Sequence, residues 1–339
     1  MTEPQRTADE RAATLPLVTE TATVSAVEAL DGDRTDDIRE AVDRRFDEWD
    51  VALPDDLLDF EAVFSALPDD LPAGVRDDLH TLEERHERPY PSLVRLELAP
   101  EEDLEFAPGQ FATIRFEHVP RPYSLASSPN DDELELCIRR VPGGHLTDRL
   151  FSDLREGDLL PELRGPSGDF TLRDPSKRDM VFLATGTGVA PLRSMIRYTF
   201  QEGQDEHDGE KRDVWLFHGC SWLDDLAYFD EFQSLDSEYD HFHYVPTLSR
   251  ESVIANWEGE TDYVQRAFAK HLDEDVSGDG LGDLADALDE DPVRDPGVRI
   301  DPENTDVYAC GVSAMVSTLE DVASAAGVPD SGIRGEGFG

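Results

Sequence analysis

At 339 residues and 38% hydrophobic content, the chain can bury cores for two domains. Acidic side chains number 77 against 30 basic ones, a formal charge of −47, and only Lys177, Lys211 and Lys270 are lysines. No basic face is available to displace counterions from nucleic acid, and no apolar run reaches the ~18 residues of a membrane span. Cys137, Cys220 and Cys310 are too few and too scattered for a disulfide framework or an iron–sulfur cluster, so any iron–sulfur relay must sit on another protein. The acids are spread over nearly the whole chain. Their repulsion is screened when the Debye length falls to about 3 Å at roughly 1 M salt. The composition therefore reads as that of a halophilic protein. Met1–Thr14 is polar and lacks the apolar core of a signal peptide, which makes the expected location cytoplasmic.

Residues 1–16 read as a disordered tail. Thr21–Leu30 is β-branched and partly alternating, a first strand. Ile38, Val42, Phe46 and Trp49 then recur at helical spacing. So do Leu57, Phe60, Phe64 and Leu67, and again Val75, Leu79 and Leu82, with prolines between the segments. Three short amphipathic helices over about 33–86 follow, an insertion between the first two strands and most simply a passive surface one. Alternation resumes at Val94, Leu96 and Leu98, in Phe106–Phe116, and at Leu134, Leu136 and Ile138, the pattern of a small antiparallel barrel. Pro142-Gly143-Gly144-His145-Leu146-Thr147 opens a helix through Leu150 and Leu154. Its reading is divided between an anion-binding turn and an ordinary capped hairpin turn. Gly165-Pro166-Ser167-Gly168-Asp169-Phe170 is a tight turn that could end the barrel.

After Lys177 strands alternate with helices. Met180–Ala184 is a continuous apolar run, as in a buried parallel strand, and Thr185-Gly186-Thr187-Gly188-Val189-Ala190-Pro191 leads directly into a helix. A glycine turn between strand and helix is the phosphate site of a doubly wound sheet, although neither the Gly-x-Gly-x-x-Gly fingerprint nor a P-loop is present. Val214–Phe217 and Phe242–Val245 are further strands, and Val307–Cys310 is the last. Acidic loops are expected at 201–212 and about 271–305. In the second, Asp273, Asp275, Ser277, Gly278 and Asp279 mimic the start of a calcium loop, but Leu284 holds the place of the required Glu, so no metal site is expected.

One stretch concentrates ligand chemistry: Arg121-Pro122-Tyr123-Ser124-Leu125-Ala126-Ser127-Ser128-Pro129. Arg can fork onto a phosphate, Tyr can lie against a ring system and Ser can reach a heteroatom. Six motifs then occur in order: Arg121-x-Tyr123-Ser124, Gly144-x-x-Thr147, Gly165-Pro166-x-Gly168, Gly186-Thr187-Gly188-Val189-Ala190-Pro191, Ser249-Arg250, and Cys310-Gly311-x-x-x-Met315. Together they resemble the ferredoxin-NADP reductase superfamily. The resemblance implies a flavin-binding, Greek-key antiparallel β-barrel over 17–175, carrying the helical insertion. A doubly wound α/β nucleotide domain over 176–339 would follow, with the flavin ring at their junction.

It also implies roles by position. Arg121 would meet a flavin phosphate, Tyr123 would pack on the isoalloxazine, Ser124 would sit near its N5, and Arg139 would line it. Gly144, His145, Leu146 and Thr147 would bind the pyrophosphate, which favours FAD over FMN. Gly186, Thr187 and Gly188, with Pro191 closing the motif, would cradle the nicotinamide nucleotide. Cys310, with Gly311 and Met315, would lie beside the nicotinamide carbon that gives up hydride. Ser249-Arg250 would hold a 2′-phosphate and Tyr263 stack on the adenine, favouring NADP over NAD. Cys220-Ser221, standing where the family often carries an arginine, points the other way. Glu336 could join a proton relay with Ser124, and Phe338 could cover a flavin face. The implied activity is hydride transfer between NAD(P)H and FAD. Single electrons then pass to a separate carrier such as ferredoxin or flavodoxin. A reductase component of an oxygenase, or a flavin-bound sensor without turnover, shares the same sites.

Overall fold

The computed structural model describes residues 6–338 apart from Leu53, Asp55, Asp69, Asp70, Pro72, Glu117, His118, His145 and Leu146. A short helix, α1 (Ala8–Ala12), comes first. Strands β1 (Val18–Ala29), β2 (Leu93–Pro100), β3 (Phe111–Phe116), β4 (Val119–Ser124), β5 (Leu134–Arg139) and β6 (Leu159–Ser167) build one sheet in the order β4-β3-β6-β1-β2-β5. Every pairing in it is antiparallel, and a bridge between Leu125 and Leu136 brings the two outer strands together, so the sheet is a nearly closed barrel. Alternation explains its interior: Val94, Leu96 and Leu98 on β2 face Leu134, Leu136 and Ile138 on β5, all buried. Helix α5 (Thr147–Asp153) precedes β6.

Three helices lie between β1 and β2: α2 (Thr35–Glu48), α3 (Phe60–Ala66) and α4 (Ala73–His86). Their apolar stripes meet in a core of Ile38, Val42, Phe46, Val63, Leu79 and Leu82. That core also takes in Trp222 and Ile254 from the parallel sheet's loops, so the block is packed against its neighbour.

The second sheet holds β7 (Asp179–Thr185), β10 (Val214–Cys220), β11 (Phe242–Leu248), β12 (Thr305–Val312) and β13 (Ile333–Phe338), all parallel, in the order β11-β10-β7-β12-β13. Helices α6 (Val189–Gln201), α7 (Phe229–Glu238), α8 (Val264–Lys270) and α9 (Ser313–Ala326) accompany it. A small hairpin, β8 (Glu206–His207) and β9 (Glu210–Lys211), occupies the first acidic loop. The second contains a 3₁₀ segment, Gly282–Asp289, that buries Ala287 beneath α8. Among the described residues no helix is long and apolar enough to cross a membrane. The two sheets share a core in which Leu93, Ala126, Cys137 and Phe170 pack with Phe182, Leu192 and Tyr308.

Three local expectations are corrected. Residues 8–12, expected in a disordered tail, are helical because Thr7 and Glu10 form a capping box, and Asp9 and Arg11 pair with Arg334 and Asp174. Of the turn expected over Gly165–Phe170, the first three residues are strand: β6 runs through Ser167, and chain reversal begins at Gly168, φ +102°. A Cβ on Gly165 would lie 3.1 Å from that of Ala112, so this glycine serves close strand approach. Finally, Val307–Cys310 is not the last strand. Ile333–Phe338 is a further strand, and its glycines Gly335 and Gly337 press β13 onto α9, where added Cβ atoms would lie 2.4 Å from Glu320 Oε1 and 2.7 Å from Ser313 Cα.

Phe46 is fully buried at the centre of the helical core. Phe46→Ala is expected to cost about 3–5 kcal/mol in urea denaturation; a loss below about 1 kcal/mol would mean that the block is only loosely packed.

Candidate active site at the junction of the two sheets

The carboxyl ends of all five parallel strands contribute to one cavity of about 760 Å³, through Thr185, Gly219, Ser249, Gly311 and Phe338. This is where open α/β sheets take ligands. Arg139 from the barrel and Tyr263 at the start of α8 complete the wall.

Backbone contact shapes the floor. Gly186 has φ +52°. A Cβ on Gly188 would lie 2.2 Å from the Cys310 carbonyl oxygen, and one on Gly311 would lie 2.2 Å from Thr185 Oγ1. The β7–α6 turn and the end of β12 therefore touch through glycines, and no side chain fits between them. Fully buried His218 donates from Nε2–H to the Gly186 carbonyl at 3.1 Å. Burial pushes its pKa down to about 4, so it acts as a neutral brace at pH 7. The Thr185 hydroxyl is buried with no partner in the protein.

The barrel supplies the opposite side. Ser124, at the end of β4, is buried and its Oγ has no hydrogen-bond partner. Glu336 is next to it on β13, in register with Cys310 on β12, and its Oε2 is likewise buried and unpartnered. Burial pushes Glu336 up to about 7, and the Ser124 hydroxyl pulls it partly back without completing a hydrogen bond by geometry. Cys310 is fully buried, and burial, then the Glu336 carboxylate, hold its thiol well above its usual range, so it stays neutral. Tyr123 is half-buried against the barrel core. Arg121 is exposed, donates 2.9 Å to the Pro120 carbonyl, and pairs with no carboxylate among the described residues.

The other expected residues divide. Thr187, Gly188 and Met315 line the cavity with Gly186, and Tyr263 and Phe338, 70% and 41% exposed, present bare rings to it. Pro191 is buried inside the first turn of α6 and lines nothing, because that turn needs no proline N–H. Arg250 turns away to Glu84 Oε2 of α4 at 3.2 Å while its neighbour Ser249 stays in the wall. At the barrel turn, Thr147 Oγ1 accepts from Val141 N at 3.0 Å and donates back to the Val141 carbonyl, so the hydroxyl closes the turn. A Cβ on Gly144 would lie 2.8 Å from both Thr147 Oγ1 and that carbonyl. His145 and Leu146 lie outside the described residues. Sequence reasoning missed His218, Asp225 and Asp262. The two aspartates line the cavity but carry no local signal among 77 acids.

Known proteins are similar to this chain over both sheets. Residues 90–172 match the oxidoreductase FAD-binding domain and residues 182–321 the oxidoreductase NAD-binding domain. Ferredoxin–NADP reductase B of Sorangium cellulosum is 34% identical over 223 residues, 65% of this chain and 78% of that protein. This chain belongs to the ferredoxin-NADP reductase superfamily. The naphthalene 1,2-dioxygenase system ferredoxin–NAD(P)(+) reductase component of Pseudomonas putida is 31% identical over 74% of this chain and 66% of its own. The Amycolatopsis cytochrome P450 reductase GcoB superposes with a TM-score of 0.62 at 25% identity, over 96% of this chain and 71% of that one. The chain spans about half the length of several further curated relatives. By these matches the chain has one domain of the FAD-binding kind and one of the NAD-binding kind. The residues present fit both: orphaned Ser124 and Glu336 atoms and an unpaired Arg121 suit a hydrogen-bonding anionic ring system, and the glycine floor suits close approach by a nucleotide.

A carboxyl group that stays protonated to higher pH when folded loses stabilising protonation as pH rises from its ordinary 4.5 through about 7. Glu336→Gln, which cannot ionise, should therefore gain stability over the unsubstituted protein at pH 8 and gain little at pH 4. Thermal unfolding at both pH values checks this; equal shifts at both would contradict a buried, raised carboxyl.

Proposed function

We propose that the protein is a flavin-dependent reductase that takes reducing equivalents from NAD(P)H and delivers electrons to a separate carrier, serving as the reductase component of an oxygenase system. The observation that carries this reading is the unpartnered Ser124 and Glu336 pair facing the junction beside a cavity built from five strand ends. Bound FAD would supply the link between two-electron and one-electron chemistry. Arg121 would hold its phosphate, and Tyr123 would offer a ring face. Glu336, with a carboxyl pKa near neutrality, can hold or release a proton at Oε2 close to the working pH, and the neighbouring Ser124 Oγ would pass it toward the flavin. The shared core and the two facing sheets would exclude water from the meeting point of the two rings.

The choice of an oxygenase partner rests on relatives named as reductase or electron-transfer components of naphthalene 1,2-dioxygenase, xylene/toluene monooxygenase and phenol 2-monooxygenase. Direct reduction of ferredoxin is the second reading, supported by the ferredoxin–NADP reductase relative. The excess of acidic over basic residues supports a working environment of concentrated salt, in which exposed charges are screened and partner recognition rests on short-range contacts.

The purified chain should carry FAD. Arg121→Ala should weaken FAD retention roughly tenfold or more, the worth of one charge-assisted phosphate contact. With NADH or NADPH present, a panel of ferredoxins and oxygenase components, assayed in both low and multimolar salt, should include an acceptor that is reduced. FAD-loaded protein that reduces none of them and consumes no nucleotide would overturn the reading in favour of a sensor.

A further inference from the structure

The α2–α4 block is anchored to two loops that carry the cavity wall. Behind β10, Arg85 pairs with Asp224 at 2.6 Å and Arg88 with Asp225 at 2.6 Å. Behind β11, Arg34 pairs with Glu251 at 2.8 Å, and Arg44 donates to the Ile254 carbonyl at 2.6 Å. Glu251 is only 2% exposed and also accepts from Leu223 N, so the 249–254 loop has little freedom of its own. Within that loop Ser249 faces the cavity, but Arg250 is drawn out toward Glu84 on α4.

The cavity runs across five strands, about 19 Å at ~4.8 Å per strand. One end, at β12 and β13, holds Phe338, two residues beyond Glu336 on the same strand, where a reacting ring belongs. An extended dinucleotide must then place its adenosine ribose toward β11, beside Ser249, Asp262 and Tyr263. Asp262 brings a carboxylate to that end, shared with Lys270 Nζ at 2.6 Å. A ribose 2′-hydroxyl can donate to a carboxylate or a serine oxygen. A 2′-phosphate dianion would meet the carboxylate, and the arginine that lines the cavity, Arg139, is already paired with Asp225 at 2.9 Å.

We propose that the α2–α4 block is a selectivity element: Glu84 holds Arg250 off the ribose end of the cavity, so that the site takes NADH in preference to its 2′-phosphorylated counterpart. This rests on the reading of the cavity as the NAD(P)H site. The Glu84–Arg250 pair is exposed, hence weak and readily broken, so one substitution suffices to return the arginine to the wall.

The test is calorimetric titration of the full flavin-containing chain with ADP and with 2′,5′-ADP. Unsubstituted protein should bind ADP more tightly. Glu84→Gln should shift the affinity ratio about fivefold toward 2′,5′-ADP, as expected for releasing an exposed ion pair. Adding Arg250→Ala to that variant should remove the gain, whereas Arg250→Ala alone should leave the original ratio within about twofold, because the paired arginine contributes little. Tighter binding of 2′,5′-ADP by the unsubstituted protein, or a ratio unmoved by Glu84→Gln while ADP still binds, overturns the proposal alone. Failure of both probes to bind any of these proteins overturns the nucleotide reading of the cavity, and this proposal with it.

Discussion

Asp225 holds a buried charge where three parts of the fold meet. Its side chain receives Arg139 of the barrel at 2.9 Å and Arg88, which follows α4, at 2.6 Å, while its own backbone belongs to the loop after β10. Burial alone would raise its pKa, but Arg139 and then Arg88 outweigh it and hold the carboxyl below its usual range, so it is ionised. Breaking such a buried pair by removing one partner typically costs about 3–5 kcal/mol, because the remaining charge is left in a poor solvent. The relative placement of barrel, helical block and parallel sheet is thus tied to satisfying this one carboxylate. Asp225 and Arg139 both line the cavity, so the contact that fixes the architecture also builds the binding wall. A second tie works the same way. Arg193 of α6, 4% exposed, donates to the Ala126 carbonyl at 2.9 Å and pairs with Glu135 and Glu231 over the Tyr228 ring. Both anchors meet barrel residues close to the Tyr123-Ser124 stretch.

The charge composition takes on a spatial meaning in this light. Cations are scarce, and several are placed inward. Arg34, Arg85, Arg88 and Arg193 have side chains at most 18% exposed and hold carboxylates across element boundaries. Salt screens surface charges strongly and such enclosed pairs much less. The exposed acids can therefore be neutralised by solution ions without loosening the contacts that hold the two sheets together.

What the sequence made legible follows from how local each signal is. The Met180–Ala184 run and the glycine turn after it are contiguous, and they fold as β7 and the cavity floor. Alternation at Val94–Leu98 and Leu134–Ile138 is equally local and gives barrel strands. Tyr123 and Ser124 stand out because an aromatic and a hydroxyl follow an arginine in a stiff segment. Signals that depend on distant partners were hidden. β13 was hidden because two glycines in six residues break its strand pattern, and only α9 shows why they are needed. Ser249-Arg250 was read as a phosphate-binding pair, but Arg250 donates to Glu84, 166 residues away in sequence. The packing of α2–α4 was equally invisible, since periodicity reveals an apolar stripe without naming Trp222 and Ile254 as its cover.

The central claim is that a flavin at Ser124 and Glu336 lies within reach of a nicotinamide nucleotide held across the five strand ends. Anaerobic stopped-flow mixing of the FAD-loaded chain with NADH tests it most directly. The account predicts rapid loss of the visible flavin absorption band, stoichiometric with nucleotide oxidised and sharply slowed in Ser124→Ala and Glu336→Gln. A fully FAD-loaded protein whose band is unchanged by NADH and by NADPH would contradict it.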